Sequence, residues 1–134
     1  MTGFPLKIVT PDGLQFAGQA EELIVRTTSG DLGILAGHIN CVASLGMGRA
    51  TVMVDGKKRY AACIGGMVSV VNGVVKLVPT TFEWADAIDV ARAETSEAKA
   101  QTVLKDKTSS ETDVRLAEAR LKRALIRKNV AQYQ

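Results

Sequence analysis

All twelve glycines and all three prolines of this 134-residue chain fall between Gly3 and Pro79, and none occurs from Thr80 to Gln134. Glycine and proline punctuate turns, so their confinement divides the chain into a turn-rich first half and a long stretch with nothing to interrupt a helix. That second stretch is rich in alanine, glutamate, lysine and arginine, which are good helix formers. The composition predicts two units, 1–83 and 84–134.

Within the first unit, short runs of valine, isoleucine, leucine and threonine alternate with turn signals. Leu6–Thr10 ends at Pro11-Asp12-Gly13, and Leu23–Thr28 ends at Ser29-Gly30-Asp31. Two dipeptides are stronger: Asp55-Gly56 separates Ala50–Val54 from Lys57–Cys63, and Asn72-Gly73 separates Met67–Val71 from Val74–Val78. Both tolerate the positive φ angles of a two-residue hairpin loop, so two consecutive hairpins are expected. Many short strands at this spacing imply a β-sandwich or flattened barrel. Gly65-Gly66 interrupts the path between the hairpins and predicts a bulge or a close backbone approach.

The second unit changes period. Asp86 followed by Asp89 resembles a capping signal for a helix reaching about Lys105, and Ser110 with Asp113 caps a second. Val114, Ala117, Leu121, Ala124 and Leu125 make one apolar stripe on that second helix. A short polar link forces the two helices antiparallel, giving an α+β chain that ends in a helical hairpin. Glu83–Thr108 carries six acidic and four basic residues, whereas Ser109–Gln134 carries three acidic and six basic, so the helices are electrostatically complementary. The stripe is mostly alanine and buries little, which predicts an arm that docks elsewhere or moves.

Several function classes are excluded. A formal charge of +3 is too small for a commitment to nucleic acid or anionic lipid. No apolar run approaches the roughly 20 residues of a membrane-spanning helix, and Met1–Leu6 lacks the plan of a secretory signal, so a cytosolic chain with no membrane insertion is expected. Cys41 and Cys63 lie in apolar segments without ligand-spaced partners, which fits free thiols and no metal site. There is no GxxxxGK[ST] loop, Gly46-Met47-Gly48 lacks the third glycine of a dinucleotide fingerprint, and His38 has no nucleophile placed beside it by motif. No catalytic residue and no obligatory cofactor are expected.

Four segments carry a resemblance: Val9-Thr10-Pro11-Asp12-Gly13, Gly30–His38, Gly65–Val70 and Ile88–Ala93. In order and spacing they resemble the epsilon subunits of F-type ATP synthases over nearly the whole chain, with the departure that the family usually has proline where Ala36 and Asn40 stand. The resemblance implies a sandwich of about ten strands, a C-terminal two-helix hairpin, and a non-catalytic rotor role coupling proton-driven rotation to ATP synthesis. It implies the gamma subunit, the c-ring and the α/β hexamer as partners, and a peripheral place on the cytoplasmic side of a bacterial membrane. By the same resemblance Asp31 faces the c-ring and His38 lies near gamma, although Asp31 also suits a turn for local reasons.

The resemblance further implies ATP as a regulatory ligand, held by Ile88, Asp89, Arg92 and Ala93 with Glu83 just before the helix and Arg123 and Arg127 on the second helix. Physically, Asp89 and Arg92 lie one helical turn apart, and Arg120, Arg123 and Arg127 repeat on one face where guanidinium groups can meet phosphate. An ordinary intrahelical ion pair and a solvated basic stripe fit the same spacing. Lys99 stands where some tight nucleotide binders have arginine. In an extended pose the basic residues Arg115, Arg120, Lys122, Arg123, Arg127 and Lys128 would enter the hexamer and block ATP hydrolysis. A free-standing sandwich adaptor that dimerises through Val114, Leu121 and Leu125 is the alternative.

Overall fold

In the computed structural model, which describes residues 2–134, eight strands precede two helices. The strands are β1 (Phe4–Thr10), β2 (Gly13–Ala20), β3 (Glu22–Thr27), β4 (Gly30–Ile34), β5 (Cys41–Ser44), β6 (Met47–Val54), β7 (Lys57–Val71) and β8 (Val74–Trp84). A 3-10 turn, Ala85–Ala87, leads to α1 (Val90–Lys105) and α2 (Glu111–Ala131). The strand path is β2-β1-β8-β7-β6-β3-β4, with β5 added on β7.

Eight strands form where about ten were expected, because β7 and β8 each run unbroken through a point where their neighbours change. Residues 57–64 of β7 pair with β6, whereas 67–70 pair with β5; β8 takes β1 as a parallel neighbour only at 75–77. The change of neighbour coincides with Gly65-Gly66 and Pro79. Gly66 has φ of +96° and pairs with Pro79, and a Cβ there would collide with the Val78 carbonyl oxygen and lie 2.6 Å from the Pro79 Cα. Only glycine permits that approach, so the expected close contact is present.

Both marked dipeptides close tight hairpins. Asp55 and Asn72 take φ of 52° and 48°, and the glycines after them take 73° and 79°, as a type I′ turn requires. Alternation then builds the core. Phe4, Leu6 and Ile8 of β1 point inward between exposed Pro5 and Lys7, and they meet Leu23, Val25 and Leu77 in the sandwich interior. Cys63 belongs to this interior, where burial pushes its thiol up to about 12.

The hairpin has a separate and smaller apolar contact. Ala93 and Ala100 of α1 and Ala117 and Ala124 of α2 are buried. Beyond that seam, Val130 and Ala131 pack with Ala62, Ala85 and Ile88, flanked by Tyr60 and Ile126. α1 packs chiefly on α2, whereas α2 also packs on β6, β7 and the 3-10 turn. The last turns of α2 therefore carry most of the docking. Leu125, expected in the apolar stripe, is exposed, because that side of α2 faces neither α1 nor the sandwich.

Candidate functional site

Where β8 ends, α1 begins and α2 passes overhead, the chain leaves a cleft of about 540 Å³. Its first wall is set by a local cap. Asp89, not Asp86, is the N-cap of α1: its Oδ1 accepts from the Arg92 N–H at 3.0 Å. This bond fixes the first turn and turns Asp89, Arg92 and Ala93 toward the cleft. The opposite wall is α2, capped by a reciprocal box between Ser110 and Asp113, with Arg120, Arg123 and Arg127 facing in. Spacings of three and four residues place all three on one face.

The floor comes from β8. Glu83 lines it and accepts from Arg127 Nε at 2.6 Å, a bond between residues 44 apart in sequence that ties α2 to the sandwich. Phe82, Ala87 and Ala93 add apolar surface. Four guanidinium groups thus face the carboxylates of Asp12, Glu83 and Asp89. An excess of positive charge beside an apolar wall suits a ligand with an anionic and a flat apolar part.

Six of the seven residues expected around a nucleotide line this cleft: Glu83, Asp89, Arg92, Ala93, Arg123 and Arg127. Ile88 does not, being 7% exposed and packed in the small cluster under α2, where it positions α1 rather than facing a ligand. Lys99 is exposed and away from the cleft. The basic residues expected on an inhibitory arm divide. Lys122 faces a groove on the other side of α2 with Arg26 and Arg49, Arg115 is exposed, and Lys128 Nζ bridges to Glu97 at 2.8 Å inside the hairpin. That bond holds the Lys128 ammonium above its ordinary range.

Sequence reasoning missed Asp12, Thr81 and Ser96 as cleft residues, because each comes from a segment with no binding motif. It also missed a contact at Tyr133. That ring lies 4.8 Å from Tyr60, and the Arg49 guanidinium stands 4.5 Å from the Tyr133 centroid and 5.3 Å from that of Tyr60. This contact prolongs the small apolar cluster beyond α2.

A second surface lies on the sandwich. Val42, Met67 and Val78 occupy neighbouring positions on β5, β7 and β8, and all are exposed. The loop before β5 adds Leu35 and Ile39, the latter 77% exposed, with half-buried His38 between them donating from Nδ1 to the Ile39 carbonyl at 2.8 Å. Asn40 anchors the loop by accepting from the Asn72 N–H at 2.8 Å, a side-chain bond that proline at this position could not make. Asp31 sits across β3–β4 from Arg26, which donates to it at 2.9 Å with both side chains well exposed. Of the hairpin residues expected to pair with a second copy, Val114 and Leu121 are half-buried and only Leu125 is exposed.

Comparisons with known proteins agree along the whole chain. The profile described as ATP synthase, Delta/Epsilon chain, beta-sandwich domain matches residues 3–85, and the long alpha-helix domain of the same chain matches 86–132. The ATP synthase epsilon chain of Ruminococcus albus is 46% identical over 132 residues, covering 98% of each chain. That of Bacillus pumilus is 41% identical, covering 94% of this chain and 95% of its own. Among solved structures, a chain of the Euglena gracilis mitochondrial ATP synthase OSCP/F1/c-ring superposes with a TM-score of 0.82 at 23% identity, covering 100% of this chain and 83% of its own. A chain of the Tetrahymena thermophila central stalk and c-ring gives 0.60 at 13% identity, covering 95% of both.

Proposed function

Because the chain belongs to the ATP synthase delta/epsilon family, as a non-catalytic epsilon subunit of the F-type central stalk, we propose that its hairpin restrains ATP hydrolysis and is held down by bound ATP. The observation that carries this reading is the cleft itself. Residues from β8, α1 and α2 converge there only while the hairpin lies on the sandwich, so a ligand that bridges them favours that pose. Arg123 and Arg127, with Arg120, take the phosphates; Asp89 and Arg92 take the nucleoside or ribose. At a hundredfold over its dissociation constant, ATP contributes about 2.7 kcal/mol to the folded pose.

The sandwich supplies the anchor. The exposed apolar face of Val42, Met67 and Val78 and the His38 loop meet gamma, and Asp31 at the tip of β3–β4 meets the c-ring. In this reading the subunit lies peripherally on the cytoplasmic side of a bacterial membrane. In the extended pose, Arg115, Arg120, Lys122, Arg123, Arg127 and Lys128 reach acidic residues of the α/β hexamer, an attraction weakened by salt.

Two measurements test the reading. Titration calorimetry on the full chain is expected to give ATP binding that Arg92→Ala removes, and equal heats from both proteins would dismiss the site. Ending the chain after Trp84 is expected to raise ATP hydrolysis by the assembled enzyme, and unchanged hydrolysis would remove the restraining role.

A further inference from the structure

The side of α2 turned away from the arginine cleft bounds a groove of about 940 Å³, whose other wall is the outer face of β3 and β6. Leu23 and Val25 of β3 and Ala50 and Val52 of β6 point into the sandwich core, so the residues alternating with them face outward. β3 gives the groove Ile24 and Arg26, β6 gives Met47 and Arg49, and α2 gives Lys122 and Ile126, one helical turn apart. Ile24, Met47 and Ile126 are half-buried, whereas Arg26, Arg49 and Lys122 are exposed. Apolar side chains thus lie among three cations.

Two of those cations are held in place before anything binds. A Cβ on Gly48 would stand 2.6 Å from the Arg26 Cβ and 3.1 Å from its Cγ, so the stem of Arg26 lies across a notch that only glycine leaves. Asp31 accepts from Arg26 Nε at 2.9 Å, yet 52% of the Arg26 side chain stays exposed, so its guanidinium remains open to a second carboxylate. Arg49 rests against the Tyr133 and Tyr60 rings, which fix it without neutralising it. Among the described residues neither Arg49 nor Lys122 has a carboxylate partner. Positioned cations around apolar surface complement carboxylates set beside apolar side chains. We propose that this groove seats an acidic, amphipathic segment of a partner protein. Its lining comes from the sandwich and from α2 together, so the seated segment favours the docked hairpin. The nucleotide reading is not needed for this, because the arginine cleft opens on the other side of α2.

Fluorescence anisotropy on the full chain tests the groove with a labelled peptide of about fourteen residues, leucine at every third or fourth position and glutamate beside it. The peptide is expected to bind, and to bind more weakly as salt rises. Exchanging its glutamates for glutamine, or its leucines for serine, should each weaken binding at least about tenfold. Arg26→Gln, Arg49→Gln and Lys122→Gln should each weaken it about two- to fivefold, the size of an exposed ion pair. Arg123→Gln, in the arginine cleft, should bind the peptide as the parent does, and bound peptide should slow amide exchange in α2. A parent chain that does not bind the peptide overturns the proposal. So does a loss confined to Arg123→Gln, which would put the peptide in the arginine cleft, and so does full affinity for the serine analogue, which would leave a site for any polyanion. Binding that leaves α2 exchange unchanged overturns the bridging of sandwich and hairpin.

Discussion

Replacing Gly66 by alanine is expected to unfold the sandwich at a temperature well below that of the parent. The new methyl group would collide with the Val78 carbonyl oxygen and stand 2.6 Å from the Pro79 Cα, both backbone atoms of the paired strand that no rotamer change can move. Holding a residue with a side chain at φ of +96° adds about 1–2 kcal/mol of backbone strain. Forcing extra volume into a packed interior adds about 1–3 kcal/mol. The sum, about 2–5 kcal/mol, is a large part of the 5–15 kcal/mol that typically separates folded from unfolded domains. At about 4 °C per kcal/mol for a chain this size, the melting temperature should fall by about 8–20 °C. Gly33→Ala is the matched control: nothing lies within 4 Å of its added Cβ and its φ is not positive, so its effect should stay within about 0.5 kcal/mol. Urea unfolding followed by circular dichroism gives both values. Should the two variants unfold within about 1 kcal/mol of each other, the argument from strand crossing at Gly66 is refuted.

Three further outcomes follow from the geometry. Cys63, buried and with its thiol pushed up to about 12, should stay unreacted with a thiol reagent at pH 8 until the chain is denatured, so a second fast-reacting group beside half-buried Cys41 would contradict its burial. The Thr108 hydroxyl and N–H, donating at 2.7 and 2.9 Å, hold the Asp106 carboxyl below its ordinary 3.8. That contribution is present above the unfolded-state value and is lost as pH falls through the lower folded value, so amide exchange in 106–110 should accelerate in acid and lose this dependence in Asp106→Asn. Tyr133→Ala should destabilise the docked hairpin by about 1 kcal/mol, the size of an exposed cation–π and aromatic contact, and speed exchange of α2 amides about fivefold while β6 stays protected. Tyr133→Phe should keep the parent's rate.

Local rules made part of this chain legible. The two hairpins at Asp55-Gly56 and Asn72-Gly73 were readable because the turn chemistry leaves few alternatives, and the Ser110–Asp113 box marked the start of α2 for the same reason. β2 went unmarked because its one paired face is mostly exposed and its residues, Gly-Leu-Gln-Phe-Ala-Gly-Gln-Ala, alternate weakly. The strand count differed because β7 and β8 change neighbours without stopping, which is a property of pairing and not of composition. On α2, the reading of a single stripe failed at Leu125 because the helix has two partners, and Ile126 and Val130 serve the second. The convergence of Asp89, Arg92, Arg123 and Arg127 was anticipated from resemblance and spacing. The burial of Ile88 and the unpaired Thr81 hydroxyl depend on how the units dock, which no local pattern encodes.

The interface under α2 is built from Ala62, Ala85, Ile88, Val130 and Ala131, and the seam between the helices is built from alanine. Lifting the pair away would wet five buried apolar side chains, flanked by Tyr60 and Ile126, and leave the main sandwich core covered. The Lys128–Glu97 bond joins the two helices to each other and not to the sandwich, so it adds nothing to the hold of that berth. An arm lifted into the pose proposed above would leave a small berth, one it could refill without fouling the machine around it.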